Sequence, residues 1–176
     1  MTYTIRDATV DDASYIRDIY GYYVDNSYVT FTEVNPSLEE YESSIIKTLQ
    51  DYPYIVACDN SDKVIGMAYG GRLRHHDAYR YAVETTIYLA KDAPRASGIG
   101  GALYQELENR LKAMGYVFMY GVITDDNDAS IKFHEALGFE CVGHFSNVGY
   151  KFGNWKGIVW YRKQINSLES VCHLDI

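Results

Sequence analysis

Arg95-Ala96-Ser97-Gly98-Ile99-Gly100-Gly101 lies between a strand-like run that ends near Leu89 and a helical run carrying Leu103, Leu107, Leu111 and Met114 on one face. Glycines allow a tight strand-to-helix turn, and a helix start presents unpaired N–H groups with a partial positive charge. A diphosphate can approach such a turn closely. Spacing narrows the choice of ligand. A dinucleotide fingerprint needs a third glycine three residues beyond the second, and that place is Leu103; no Lys-Ser or Lys-Thr follows, as a P-loop requires. Two readings stay open at this level: a phosphate-bearing ligand of another kind, or a glycine-rich turn that holds nothing.

Working outward, Thr9-Val10-Asp11-Asp12 reads as a capped helix start, followed by Ala13, Ile16, Ile19, Tyr20 and Tyr23 at helical spacing. Pro36-Ser37-Leu38-Glu39-Glu40 repeats the capping pattern, with Leu38, Tyr41, Ile45 and Leu49 as the apolar face. Tyr54–Cys58, a turn at residues 59–62, and Val64–Tyr69 predict a hairpin, with a third strand over Tyr81–Leu89. Beyond the glycine turn, the helix closes at Gly115. A strand over Val117–Thr124, a helix over Ala129–Leu137 closed by Gly138, and strands over Phe139–Phe145 and Ile158–Ile165 complete the pattern. The order is two helices, a strand meander, then β-α-β-α-β-β. With no linker or repeat, this predicts one α/β (α+β) domain with a mixed sheet over residues 1–166, and a loose tail over 167–176.

Composition sets the exclusions. The 176 residues are 47% hydrophobic and 23% charged, enough for one core, and 16 Lys+Arg against 24 Asp+Glu give a net charge of −8. That charge disfavours a grip on nucleic-acid backbones. Cys58, Cys141 and Cys172 have neither metal-type spacing nor even pairing, and His75-His76 has no third ligand at suitable spacing, so no metal is expected. No window reaches the roughly 18 to 20 apolar residues of a membrane helix, and Met1–Arg6 lacks a signal-peptide core. A reducing cytoplasm is the expected setting. The odd entry in the composition is 18 tyrosines, which suit a polar pocket or an interface as well as a core.

The Arg-x-x-Gly-x-Gly pattern, after a strand and opening a helix, resembles the acetyl-CoA diphosphate loop of the GNAT acetyltransferase superfamily. Val83–Leu89 resembles the strand before that loop, and Asn127–Phe139 resembles a second block of those enzymes. With Gly149–Trp155, the pattern is most similar to the phosphinothricin and methionine sulfoximine N-acetyltransferase branch, over about Thr4 to Ile165. The resemblance implies a GNAT fold, a central mixed, mostly antiparallel sheet flanked by helices. It also implies acetyl-CoA as donor, a small amino acid or analogue as amine acceptor, and a homodimer, for which Tyr22, Tyr28 and Tyr150 are candidate contacts.

The same resemblance assigns residues. Ile87, Tyr88 and Leu89 would pair with the pantetheine arm, Arg95, Ala96, Ser97, Gly98, Ile99 and Gly100 would enclose the diphosphate, and Asn127 would touch the arm. An amine arrives protonated, so a base is needed, and Glu84 is the candidate; apolar neighbours would raise its pKa toward the useful range. The plainer reading of Glu84 is an exposed strand glutamate paired with a cation. An N–H of Ile87 or Tyr88 would polarise the thioester carbonyl. His134 is a candidate acid for the departing thiolate, or a structural histidine. Arg74 would meet a substrate carboxylate, with Phe31, Glu33 and Thr86 as further pocket residues. Leu73 and Gly157 depart from the tryptophan and aspartate common in that branch. A non-catalytic acyl-CoA-binding module, or acetylation of an aminoglycoside, a polyamine, or a protein N-terminus or lysine, stand as alternatives.

Overall fold

The computed structural model describes residues 2–94 and 98–171, so Arg95, Ala96, Ser97 and Cys172 lie outside the described residues. The first element is a strand that the sequence pattern does not show, β1 (Thr4–Asp7). Four residues with two intermediate and two exposed side chains leave no alternation to detect. A 3-10 turn at Val10–Asp12 leads into α1 (Ala13–Asn26), and α2 (Leu38–Asp51) starts at the expected capping box, where Ser37 and Glu40 exchange side-chain and backbone hydrogen bonds. The apolar stripe of α2 is narrower than expected: Tyr41 and Ile45 are buried, while Leu38 and Leu49 face outward.

β2 (Tyr54–Cys58), β3 (Val64–Arg72), β4 (Ala82–Leu89), α3 (Ile99–Ala113), β5 (Phe118–Thr124) and α4 (Asp128–Ala136) follow the expected order within one residue at most boundaries. The last two strands are longer than expected, β6 (Glu140–Lys151) and β7 (Asn154–Gln164). They form one long hairpin that turns at Phe152-Gly153, both in left-handed backbone conformations. Nearly every β6 side chain is exposed, so its outer half carries no two-residue burial pattern. In the tail, Leu168–Val171 forms a 3-10 turn.

The seven strands are ordered β1-β2-β3-β4-β5-β7-β6, antiparallel everywhere except between β4 and β5. The helix α3 covers one face through Ile99, Leu103, Leu107 and Leu111, packed on Ile55, Ala68, Val83 and Met119. On the other face, Ile16 and Ile19 of α1 and Ile45 of α2 pack over Val56 and Met67. Among the described residues, no helix is long and apolar enough to cross a membrane.

One ion pair ties the first strand to the first helix. Arg6 of β1 donates from both terminal nitrogens to Asp12, at 2.7 and 2.8 Å, and the Thr9 N–H donates to the same carboxylate at 2.8 Å. Burial opposes charge on Asp12, but the hydrogen bonds from Arg6 and Thr9 outweigh it and hold its pKa below the ordinary value. The stability this supplies is present above the unfolded Asp value near pH 3.9 and is lost as pH falls through the lower folded value. At pH 7, Asp12→Asn should cost about 1.5 to 3 kcal/mol. In melting curves taken from pH 7 to pH 2, the gap between wild type and variant should close at the acid end; a constant gap would show that the carboxylate charge is not the stabilising element.

Candidate active site

The site begins where β4 and β5 separate. The two strands run parallel and pair only at Ala82–Phe118, Val83–Met119 and Glu84–Tyr120. Beyond that level β4 stays paired with β3 as far as Leu89, and β5 stays paired with β7 as far as Thr124. The space between them is a cleft of about 610 Å³ that passes from one face of the sheet to the other. Glu84, Thr86, Ile87, Tyr88 and Leu89 line it from β4; Gly121, Ile123 and Thr124 from β5; Gly100 from α3; and Asn127, Phe133 and His134 from the α4 side.

Backbone parity decides what β4 offers to this cleft. The Ala90 N–H bonds to Ile65 O on the β3 side. Alternate residues of a strand turn their N–H and C=O to opposite sides, so Tyr88, Thr86 and Glu84 also spend theirs on β3, and Leu89 and Ile87 turn theirs toward β5. The Leu89 carbonyl accepts from the Tyr23 hydroxyl at 2.8 Å. Ile87 therefore presents its backbone groups to the cleft, whereas Tyr88 contributes its ring, which stacks edge-on against Tyr20 and tilts against Tyr23.

At the far end of the cleft, α3 opens on Gly98. Its φ of +78° is the left-handed conformation that turns the chain into the helix, a geometry that a residue with Cβ adopts only under strain. The Ile99 side chain is buried in the core, so any contact it makes with a ligand is through its backbone. First-turn N–H groups of a helix lack partners within the helix, which suits this end for a phosphate.

Glu84 is half-buried at the closed end of the cleft, on the face shared with Thr86 and Tyr88. No hydrogen bond reaches its carboxylate among the described residues. Burial raises its pKa, and the Arg74 charge works against that rise. The Arg74 guanidinium lies 5.0 Å over the Trp160 ring and donates to Leu73 O at 2.9 Å. Phe31 lines the cleft and lays its ring against Gly149 of β6. Glu33 is exposed and is not among the residues that line the cleft; in the same loop the carbonyls of Ser27 and Thr30 accept from the buried Lys151 amine at 2.9 Å each.

His134 is buried behind β5, and both of its ring nitrogens are engaged. Nδ1 lies 2.8 Å from the carbonyl of Ser130 and must donate to it; Nε2 is then the acceptor for the Tyr104 hydroxyl at 3.0 Å. Tyr104 in turn meets the Thr85 hydroxyl at 2.9 Å, and Thr85 lies 3.0 Å from Tyr120 O. Burial lowers the His134 pKa, which keeps the ring neutral at physiological pH. Neither Thr85 nor Tyr104 is visible as a site residue in the sequence, since Tyr104 sits within the apolar stripe of α3 and reads as core. Among the described residues, no group of three or more His, Cys, Asp or Glu is arranged to hold a metal.

The space above Gly157 is occupied. The Asp125 carboxylate accepts from the Gly157 N–H at 3.2 Å and from His144 at 3.1 Å, and a Cβ at position 157 would collide with it. Asp125 thus brings a carboxylate from the β5–α4 turn to the strand position where the sequence has none.

Comparison with known proteins agrees with this geometry. The acetyltransferase (GNAT) domain model matches residues 5–160. A phosphinothricin N-acetyltransferase of Streptomyces viridochromogenes is 32% identical over 159 residues, covering 90% of this chain and 86% of that one. An L-methionine sulfoximine/L-methionine sulfone acetyltransferase of Pseudomonas paraeruginosa is 34% identical over 171 residues, covering 97% and 99%. The crystal structure of a phosphinothricin acetyltransferase from Sinorhizobium meliloti in complex with AcCoA superposes with a TM-score of 0.88 at 39% identity, covering 93% and 89%. The chain belongs to the GNAT acetyltransferase family and is an acetyl-CoA-dependent N-acetyltransferase.

If Arg74 is the charge that moderates Glu84, removing it should let burial act unopposed. NMR titration of the Glu84 carboxyl should then show a higher pKa in Arg74→Met than in wild type, with Arg74→Lys between them. Identical titrations would place Arg74 outside the electrostatic environment of Glu84.

Proposed function

We propose that the protein transfers the acetyl group of acetyl-CoA to the α-amine of a small amino acid or amino-acid analogue, of the phosphinothricin, methionine sulfoximine and methionine sulfone type, with Glu84 as the base. The observation that carries this reading is the carboxylate itself. It stands half-buried at the closed end of the cleft, without a hydrogen-bond partner among the described residues and with its pKa raised, in the state a general base needs. The substrates in the names of the similar acetyltransferases support the choice of acceptor.

The cleft suits the donor: an open side of β4, a helix start at one end, and through-sheet access to Glu84 at the other. Gly98, Ile99 and Gly100, with Arg95, Ala96 and Ser97, would hold the diphosphate, and Ile87, Leu89 and Asn127 the arm. When bound, acetyl-CoA supplies a thioester whose carbonyl carbon the amine attacks and whose thiolate departs. Glu84 takes one proton from the ammonium group at a carboxylate oxygen, and the second proton that the nitrogen loses as the amide forms passes to the departing CoA thiolate. The Ile87 N–H is the backbone donor best placed for the developing oxyanion. His134, with both nitrogens engaged, takes part through Tyr104 by fixing the hydroxyl behind the cleft. Arg74 faces the acceptor's carboxylate, with Phe31 and Thr86 as pocket walls.

A second copy of the chain is the proposed partner of the edge strand. Val142, Phe145, Val148, Tyr150, Phe152 and Trp155 of the β6–β7 hairpin are each 46 to 60% exposed. Tyr28 packs on Phe152 beside them. An apolar row of this kind on an open sheet edge needs cover.

Thiol release with a panel of amines tests the activity: methionine sulfoximine, phosphinothricin and methionine sulfone should turn over well ahead of aminoglycosides and polyamines. No release with any of them, despite tight acetyl-CoA binding, would leave a non-catalytic binding module. Glu84→Gln should lower turnover by about 10² to 10⁴ while leaving acetyl-CoA affinity in place; unchanged turnover would make Glu84 a bystander. In sedimentation, wild type should run at the dimer mass and the double variant Tyr150→Glu/Trp155→Glu at the monomer mass.

A further inference from the structure

The stretch Gly149-Tyr150-Lys151-Phe152-Gly153-Asn154-Trp155 closes the β6–β7 hairpin, and the chemistry of the cleft makes no use of it. Lys151 within it is 1% exposed. Its amine donates to Ser27 O and Thr30 O at 2.9 Å each and lies 4.8 Å from the centre of the Phe152 ring. Asp25 and Glu33 favour its charge, but among the described residues neither carboxylate forms an ion pair with it. Burying an ammonium group without a paired carboxylate is unfavourable, and a methionine would fill similar space without that cost. What the amine adds is a pair of bonds to backbone more than a hundred residues away in sequence.

Both carbonyls belong to residues 27–37, between α1 and α2, a segment with no helix or strand of its own. Val29, Thr30 and Phe31 line the cleft, so the position of this segment sets the position of that wall. The hairpin tip meets it at three places. Lys151 takes the two carbonyls. Between them, the Tyr28 ring meets Phe152 edge-on at 5.7 Å, its hydroxyl accepts from the Asn154 amide at 3.1 Å, and the Lys156 amine lies 4.2 Å over it. Phe31 rests its ring on Gly149, where a Cβ would collide with it. The backbone of Gly149 is not left-handed, so its missing side chain serves the ring and not the chain direction. From α1, the Tyr20 hydroxyl holds the segment by the side chains of Thr30 and Thr32, whereas Lys151 holds it by its backbone.

We propose that the hairpin tip positions the acceptor wall: Lys151 is a positioning residue that sets Phe31 by fixing the backbone of Ser27 and Thr30, and Gly149 is the bed for the ring. This rests on the reading of Phe31 as a wall of the acceptor pocket, and the test separates the two. Lys151→Met keeps an apolar stem and removes both bonds; Gly149→Ala keeps Lys151 and pushes the ring off its bed. With methionine sulfoximine as acceptor, each variant should raise the acceptor KM about five- to tenfold, while kcat and the KM for acetyl-CoA change by less than about twofold. Amide hydrogen exchange at residues 28–32 should be faster in both variants than in wild type, with exchange in α3 unchanged. An unchanged acceptor KM, equal rises in both KM values, or unchanged exchange at residues 28–32 would overturn the assignment. If Lys151→Met does not fold, Gly149→Ala decides by the same two readouts. If wild type does not turn over methionine sulfoximine, the acceptor reading fails, and exchange at residues 28–32 alone decides whether the hairpin tip holds the segment.

Discussion

Two parallel strands that pair over three residues and then part are the constraint on which the rest of the molecule depends. A parallel pair leaves no edge until its ladder ends, and here it ends in mid-sheet, with both strands still held by antiparallel partners on their outer sides. The parting therefore costs neither strand its place. It exposes backbone groups in the interior of a sheet, where they would be unfavourable unless water or a ligand satisfied them. A cleft of this origin comes with donors and acceptors already aligned. The Thr85 hydroxyl, 3.0 Å from Tyr120 O, sits at the last paired level and marks the point of separation.

The tyrosine excess follows from the same opening. On the face that carries Glu84, the floor under α1 and α2 is made largely of rings: Tyr20 meets Tyr41 and Tyr88, Tyr23 meets Tyr88, and Tyr54 meets Tyr69. Phenylalanines would fill the same space but leave nearby hydroxyls and carbonyls unpaired. The Tyr20 hydroxyl instead takes Thr30 and Thr32, and the Tyr23 hydroxyl takes Leu89 O, so the rings that form the core also tether the loop that walls the cleft. Lys151 completes the tether from β6 with its buried amine. Burial disfavours its charge, and the two carbonyls it bonds offset part of that cost.

What the sequence revealed and what it hid divide along local and non-local lines. The capping box at Ser37, the glycine at the start of α3 and the helix stop at Gly138 are determined by neighbours within a few residues, and they fall where the pattern predicts. The strand β1 and the outer half of β6 are defined by pairing with distant partners and bury little on either face, so periodicity does not mark them. The candidate site splits in the same way. Glu84 stands out as a charge within an apolar strand, but Tyr104 looks like core, Thr85 looks like an ordinary strand threonine, and the loop that carries Phe31 is held by Lys151, more than a hundred residues away.

The two faces of the opened sheet carry different electrostatics, and this bears on the division of labour in the site. On one face, the proposed base Glu84 is a carboxylate with its pKa raised by burial and moderated by Arg74. On the other, His134 is held neutral by burial with its one ring proton committed to Ser130 O, and the Tyr104 hydroxyl is pushed far above the range in which it could release a proton to a thiolate. To protonate a leaving group, His134 would first have to gain a second proton, on Nε2, and that would reverse the hydrogen bond from Tyr104. Burial opposes that step, whereas a thiolate is a tolerable leaving group without help. The histidine side of the cleft is therefore better suited to hold a fixed shape, and the glutamate side to move protons.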